Sequence, residues 1–161
     1  MASANSAQYD LQKTTRSRPG LQAPPNISEG ELQFAVIPVS FAGTESAADT
    51  VNLCQLPAGV IPVPALSSIQ VTSDPGTTLT VDIGTALDAD GWCDGANVAA
   101  VGLVNCLTPA IPAFANASLN SGLAADTADD DGLVTITATW ATVGTNSAAT
   151  LVFILAYKLP R

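Results

Sequence analysis

Histidine is absent from this chain of 161 residues. That removes the commonest general base and a frequent zinc ligand, so Ser–His–Asp and Cys–His mechanisms are excluded. Positive charge is scarce too. Five Lys and Arg stand against fourteen Asp and Glu, a net charge of −9. Three of the five cations, Lys13, Arg16 and Arg18, lie within six residues. From residue 33 onward only Lys158 and Arg161 remain beside eleven acids, the fourteen less Asp10, Glu29 and Glu31. Phosphate binding needs clustered Lys and Arg, so this composition argues against a nucleic-acid partner. No apolar run approaches the roughly 20 residues of a membrane span. The longest candidate, "ATLVFILAYKL", has strand length, and no membrane role is expected. The opening "MASANSAQYDLQKTTRSRPG" lacks the apolar stretch of a secretory signal, which predicts synthesis and assembly in a cytoplasm.

Cysteine is limited to Cys54, Cys93 and Cys106, an odd number without a C-x-x-C pair. A zinc site is not indicated. A Cys93–Cys106 disulfide is open, because sequence spacing does not fix the geometry it needs. Small buried hydrophobes are the plainer reading. Aromatics are 5% of the chain and charged residues 12%, against about 25% charged in ordinary domains. Ala, Val, Leu, Thr and Ser fill much of the rest, a composition that suits β-structure rather than helical bundles.

The β pattern begins near residue 33. "QFAVIPVSF" (33–41) is apolar but contains Pro38, which predicts an edge or bulged strand. "DTVNLCQL" alternates through Val51 and Leu53, and "SSIQVTS" sets Ile69 and Val71 against Ser68, Gln70 and Thr72. "TTLTVDIG" sets Leu79, Val81 and Ile83 on one face, and "LVTITATWA" sets Val134, Ile136, Ala138 and Trp140 against three threonines. "ATLVFILAYKL" is apolar on both faces, as in a central or doubly covered strand. The "VGTNSA" turn predicts a hairpin between the last two strands. The signal weakens between Gly95 and Asp131, where "NVAAVGLVN" fits a strand or a short helix. The expectation is all-β: one antiparallel sandwich or jelly-roll domain of about seven or eight strands over residues 33–161. Residues 1–32, with "RPGLQAPPN", are polar and aperiodic and read as an extended N-terminal arm.

One stretch demands a chemical reading. "VDIGTALDADGWCDG" (81–95) packs Asp82, Asp88, Asp90 and Asp94 around glycines, a tryptophan and a cysteine. Asp88, Asp90 and Asp94 are candidate calcium ligands, but a calcium cage needs about six to eight oxygens. The EF-hand order of glycine and late Glu is also missing. Asp88 and Asp90 could pair as a catalytic acid and base, yet solvated aspartates in a glycine-containing turn ordinarily stay ionised. The favoured reading is a turn, in which Asp bonds nearby backbone and Gly supplies positive φ. No metal or other cofactor is expected, and no enzyme activity.

The run "ADTVNLCQLPAGVIPV", then "SSIQVTS", then "TTLTVDIGTALDADGWCDGANVAAVG", closing on "LVTITATWATVGTNSAATLVFILAYKL", resembles small structural proteins of tailed bacteriophages. The likeness spans about residues 47–159 and rests on turn-and-strand patterns rather than catalytic signatures. It implies a virion component, a decoration or cement protein on the capsid exterior that binds the major capsid protein and copies of itself as a homo-oligomer. Lys13, Arg16 and Arg18 are then the expected capsid contacts, with the apolar stretch from Phe34 to Phe41 as a second candidate. The alternative is a receptor- or glycan-binding knob, for which Trp92 is the one clear aromatic candidate.

Overall fold

Alternation of apolar and hydroxyl residues over 67–73, 77–84 and 133–141 gives those strands two unlike faces, and the apolar faces must find each other. The computed structural model describes residues 3–5, 32–107 and 132–158. They form strands β1 (Ser3–Asn5), β2 (Leu32–Phe41), β3 (Thr50–Pro57), β4 (Ile61–Pro62), β5 (Ser68–Val71), β6 (Leu79–Gly84), β7 (Cys93–Asn97), β8 (Gly102–Asn105), β9 (Leu133–Val143) and β10 (Ala149–Lys158). The only helical element among the described residues is a 3-10 turn at Pro64–Leu66.

Two sheets result. One has the order β1-β3-β9-β6-β7, the other β2-β10-β5-β8 with β4 added against β10. All pairings are antiparallel except β1 on β3. The longer strands pair in a nested way. The first with the last is β2–β10, the next inward are β3–β9 and β5–β8, and the innermost is β6–β7. The connections β2–β3, β5–β6, β7–β8 and β9–β10 each pass from one sheet to the other.

Both sheets contribute to one core. Ile37, Val39, Phe41, Ile69, Leu151, Phe153 and Leu155 come from one side, and Leu53, Leu79, Val81, Ile83, Ile136 and Trp140 from the other. Phe41 meets Trp140 edge-on across the interior, with ring centroids 5.0 Å apart and planes at 63°. Each such side chain contributes about 1.5–3 kcal/mol on burial. The alternating positions predicted for β5, β6 and β9 are buried as expected. Pro38 lies in β2, an edge strand, where one side of the ladder is open and a missing N–H is tolerated.

The expected terminal hairpin is not formed. β9 pairs with β3 and β6, whereas β10 pairs with β2, β4 and β5. The 144–148 connection is held instead by the 73–78 turn. Gly144 N donates to Thr78 O at 2.8 Å, Ser147 N to Pro75 O at 2.8 Å, and Gly76 bridges Asn146. A Cβ on Gly76, at φ +125°, would meet the backbone of residues 145 and 146, so the close approach requires glycine. Within "NVAAVGLVN" the chain forms the end of β7 and strand β8 rather than a helix, and residues 108–131 lie outside the described residues.

Candidate functional site

The aspartate-rich stretch is the end of β6, a loop and the start of β7. Thr85, almost fully buried, organises the loop. Its Oγ1 accepts from Leu87 N and Asp88 N, both at 3.3 Å, while its own N–H donates to Asp88 O at 2.8 Å. Gly84 and Gly91 are required by closeness: a Cβ on Gly84 would collide with Asp88 O, and one on Gly91 would lie 2.6 Å from Asp88 Oδ2. Register shifts between Val81 and Ile83, leaving Asp94 and Gly95 opposite Asp82 as a bulge with Gly95 at φ +62°. The orphaned Gly95 N–H donates to Asp82 Oδ1 at 2.7 Å. Aspartate therefore does here what a turn reading expects, though at Asp82 rather than at the loop's centre.

Electrostatically the stretch is crowded. Asp90 is held above the usual carboxylate range, first by a hydrogen bond with the Asp88 side chain, then by partial desolvation and the charges of Asp88 and Asp94. Asp82 is raised by burial and by Asp94, against the lowering effect of the Gly95 N–H. The Asp90 shift marks carboxylates gathered by a turn, whereas burial is the main cause at Asp82. Among the described residues no group of three or more His, Cys, Asp or Glu side chains could hold a metal ion.

Beneath the loop lies a buried polar junction that sequence reading missed. Ser67 Oγ donates to Val63 O at 3.0 Å and accepts from Trp92 Nε1 at 3.0 Å and Ala156 N at 2.9 Å. Ser67 O accepts from Cys106 N at 3.0 Å. One hydroxyl thus ties the 92 region of one sheet to β10 of the other. Its proton is committed to Val63 O. Trp92 is fully buried, which withdraws the aromatic on which a glycan site would have rested. Cys54, Cys93 and Cys106 are buried and unbonded, as small hydrophobes. Burial pushes Cys54 up to about 12, and a hydrogen bond to Cys93 together with burial holds Cys106 above the ordinary thiol range. Such thiols are inert.

What remains as a candidate site is a surface. On β2 the residues pointing away from the core include Leu32, Phe34, Val36 and Pro38, with Phe34 52% and Val36 58% exposed. Register places Val36 beside Ile154 and Pro38 beside Val152, with Gln70 and then Leu103 continuing that row. Phe41, expected as a contact, points the other way: it is 1% exposed and packed on Trp140, because odd positions of β2 face the core. Phe34 is exposed and Phe41 is buried, so Phe41 is a core residue rather than a surface contact. Lys13, Arg16 and Arg18 lie outside the described residues. The signal for this face was present in the sequence, since β2 and β10 are apolar at both odd and even positions.

No protein-family model matches the chain, and no curated protein matches it in sequence. Its fold has solved counterparts. A chain of the capsid of Ralstonia phage GP4 matches with TM-score 0.62 at 18% identity, covering 99% of each chain. A chain of the cyanophage Pam1 capsid asymmetric unit matches with TM-score 0.54 at 19% identity, covering 89% of this chain and 96% of that one. At such identities the likeness is one of fold.

Proposed function

We propose that this protein is a non-enzymatic structural component of a bacteriophage virion, a decoration or cement protein on the head exterior. The observation that carries the reading is the end-to-end match to a phage capsid chain, 99% of each chain covered. The nested pairing of eight longer strands in two sheets supports a jelly-roll topology, an architecture used in viral capsids. The chemistry fits: no histidine, buried inert thiols, and a buried serine whose hydroxyl is committed. In this reading the segment with Lys13, Arg16 and Arg18 lies on the major capsid protein, while the acidic domain sits beside copies of itself. A knob-type receptor or glycan module is the weaker reading, because Trp92 is buried.

Copy number in purified particles tests the proposal. A decoration protein is present in hundreds of copies relative to the major capsid protein. A few copies per particle would favour the knob, and absence from particles would refute both.

A further inference from the structure

We propose that the outer face of the β2-β10-β5-β8 sheet is the surface through which two copies of this chain meet. Phe34, Val36, Pro38, Val152 and Ile154 define it as neighbours on β2 and β10, while Leu103 on β8 stands beyond Gln70 at its far side. Phe34, Val36 and Leu103 are each more than half exposed. Single exposed hydrophobes need no explanation, but a contiguous apolar sheet face does.

Charge selects the occupant. The protein carries −9, so two copies repel wherever their carboxylates face one another. β2, β4, β5, β8 and β10 contain no Asp or Glu at all, and their only charge is Lys158 at one end, beside Leu32. The other sheet carries Asp82 on β6 and Asp94 on β7, beside Asp88 and Asp90 in the loop. Among the described strands, those of this sheet are therefore the ones that set no carboxylate of their own against a second acidic copy. A two-fold pair presents this face to itself, apolar on apolar, so no separate complementary surface is required.

The size fits a weak pair. Strand spacing of about 4.8 Å and a rise of about 3.3 Å per residue give a flat footprint of about 400 Å² per copy. Two copies then cover about 800 Å², below the roughly 1,000 Å² of a stable specific interface, so the pair is a weak one that forms at high local concentration. The proposal rests on the virion reading for why copies gather, and its own failure is separable from that reading.

The test is sedimentation velocity of the full chain over a concentration series, with Val36→Asp, Phe34→Ser and, on the opposite sheet, Thr135→Asp. Thermal melting of each variant monitors the fold, and Phe34→Ser introduces no charge that could impair it. The wild type and Thr135→Asp should associate, while Val36→Asp and Phe34→Ser should weaken association by at least about tenfold. A wild type that stays monomeric at the highest concentration overturns the proposal, as does a Val36→Asp protein that associates like wild type. A monomeric chain present in many copies on particles would sink this interface alone. A self-associating chain absent from particles would sink only the virion reading.

Discussion

On the β1-β3-β9-β6-β7 sheet the residues turned away from the core include Thr135, Thr137, Thr139 and Asp82; on the β2-β10-β5-β8 sheet they include Phe34, Val36, Val152 and Ile154. Inward, the two sheets are alike, each supplying large aliphatic and aromatic side chains to one core. The difference is confined to the outside. Threonine at alternate positions keeps β propensity while tolerating water, so the first sheet is finished as a surface. The second turns apolar side chains outward along β2 and β10, beside Ser68, Gln70 and Asn105 of β5 and β8. That asymmetry, rather than any catalytic group, is the feature from which we derive the surface for self-association.

Substitutions rank by how directly they attack the shared core or separate the two outer faces. Ile136→Asp or Val134→Asp places an unpaired charge on the buried face of β9 and should abolish folding, at a cost of several kcal/mol; soluble yield and melting would show it. Ser67→Ala should come next. It strands the Trp92 indole N–H and the Ala156 N–H in the interior, costing about 1–3 kcal/mol for each group left unpaired, read as a loss of denaturation midpoint. Gly84→Ala should cost about 1–3 kcal/mol, because its Cβ would displace the 85–91 loop that closes the polar sheet. Thr135→Asp, on the polar outer face, should stay within about 1 kcal/mol of wild type in the same measurement.

The smallest effect concerns pH. Asp82 and Asp90 both have folded pKa values raised above the ordinary carboxylate range. Between the ordinary and the raised values the folded chain therefore binds more protons than the unfolded chain, so stability falls as pH rises through that window. These two groups favour the folded state as pH drops into the carboxylate range, opposite to the usual paired carboxylate. Asp90 is largely solvated, so the slope should be shallow. Asp90→Asn should flatten it, as seen in urea midpoints across that range, and an unchanged slope would place its origin elsewhere.

Much of this was legible in the sequence, for physical reasons. Period-two alternation in 67–73, 77–84 and 133–141 identified the strands and their buried faces correctly, because one face of each strand meets water. "ATLVFILAYKL" and "QFAVIPVSF" are the central strand and the edge strand that their apolar pattern and Pro38 predict, but the rule assigns them no inward face. Residues apolar on both faces do not say which face is inward, so Phe41 was assigned outward when it is core. The hairpin at "VGTNSA" was misplaced because turn residues mark a reversal but not which sheet receives the next strand. Trp92 and Ser67 are 25 positions apart and their hydrogen bond leaves no local trace. The aspartate stretch was read as a turn, and the contacts found there are those of a turn, but the bulge at Gly95 that gives Asp82 its role depends on pairing that sequence does not show.

The account's central claim is that the two outer faces differ in what covers them. Hydroxyl-radical footprinting of the protein, free in dilute solution and self-associated at high concentration, tests this side chain by side chain. The account predicts that Phe34, Val36, Ile154 and Leu103 become protected on association while oxidation over 133–143 is unchanged. Equal protection of both faces, or protection of the threonine face alone, would contradict it.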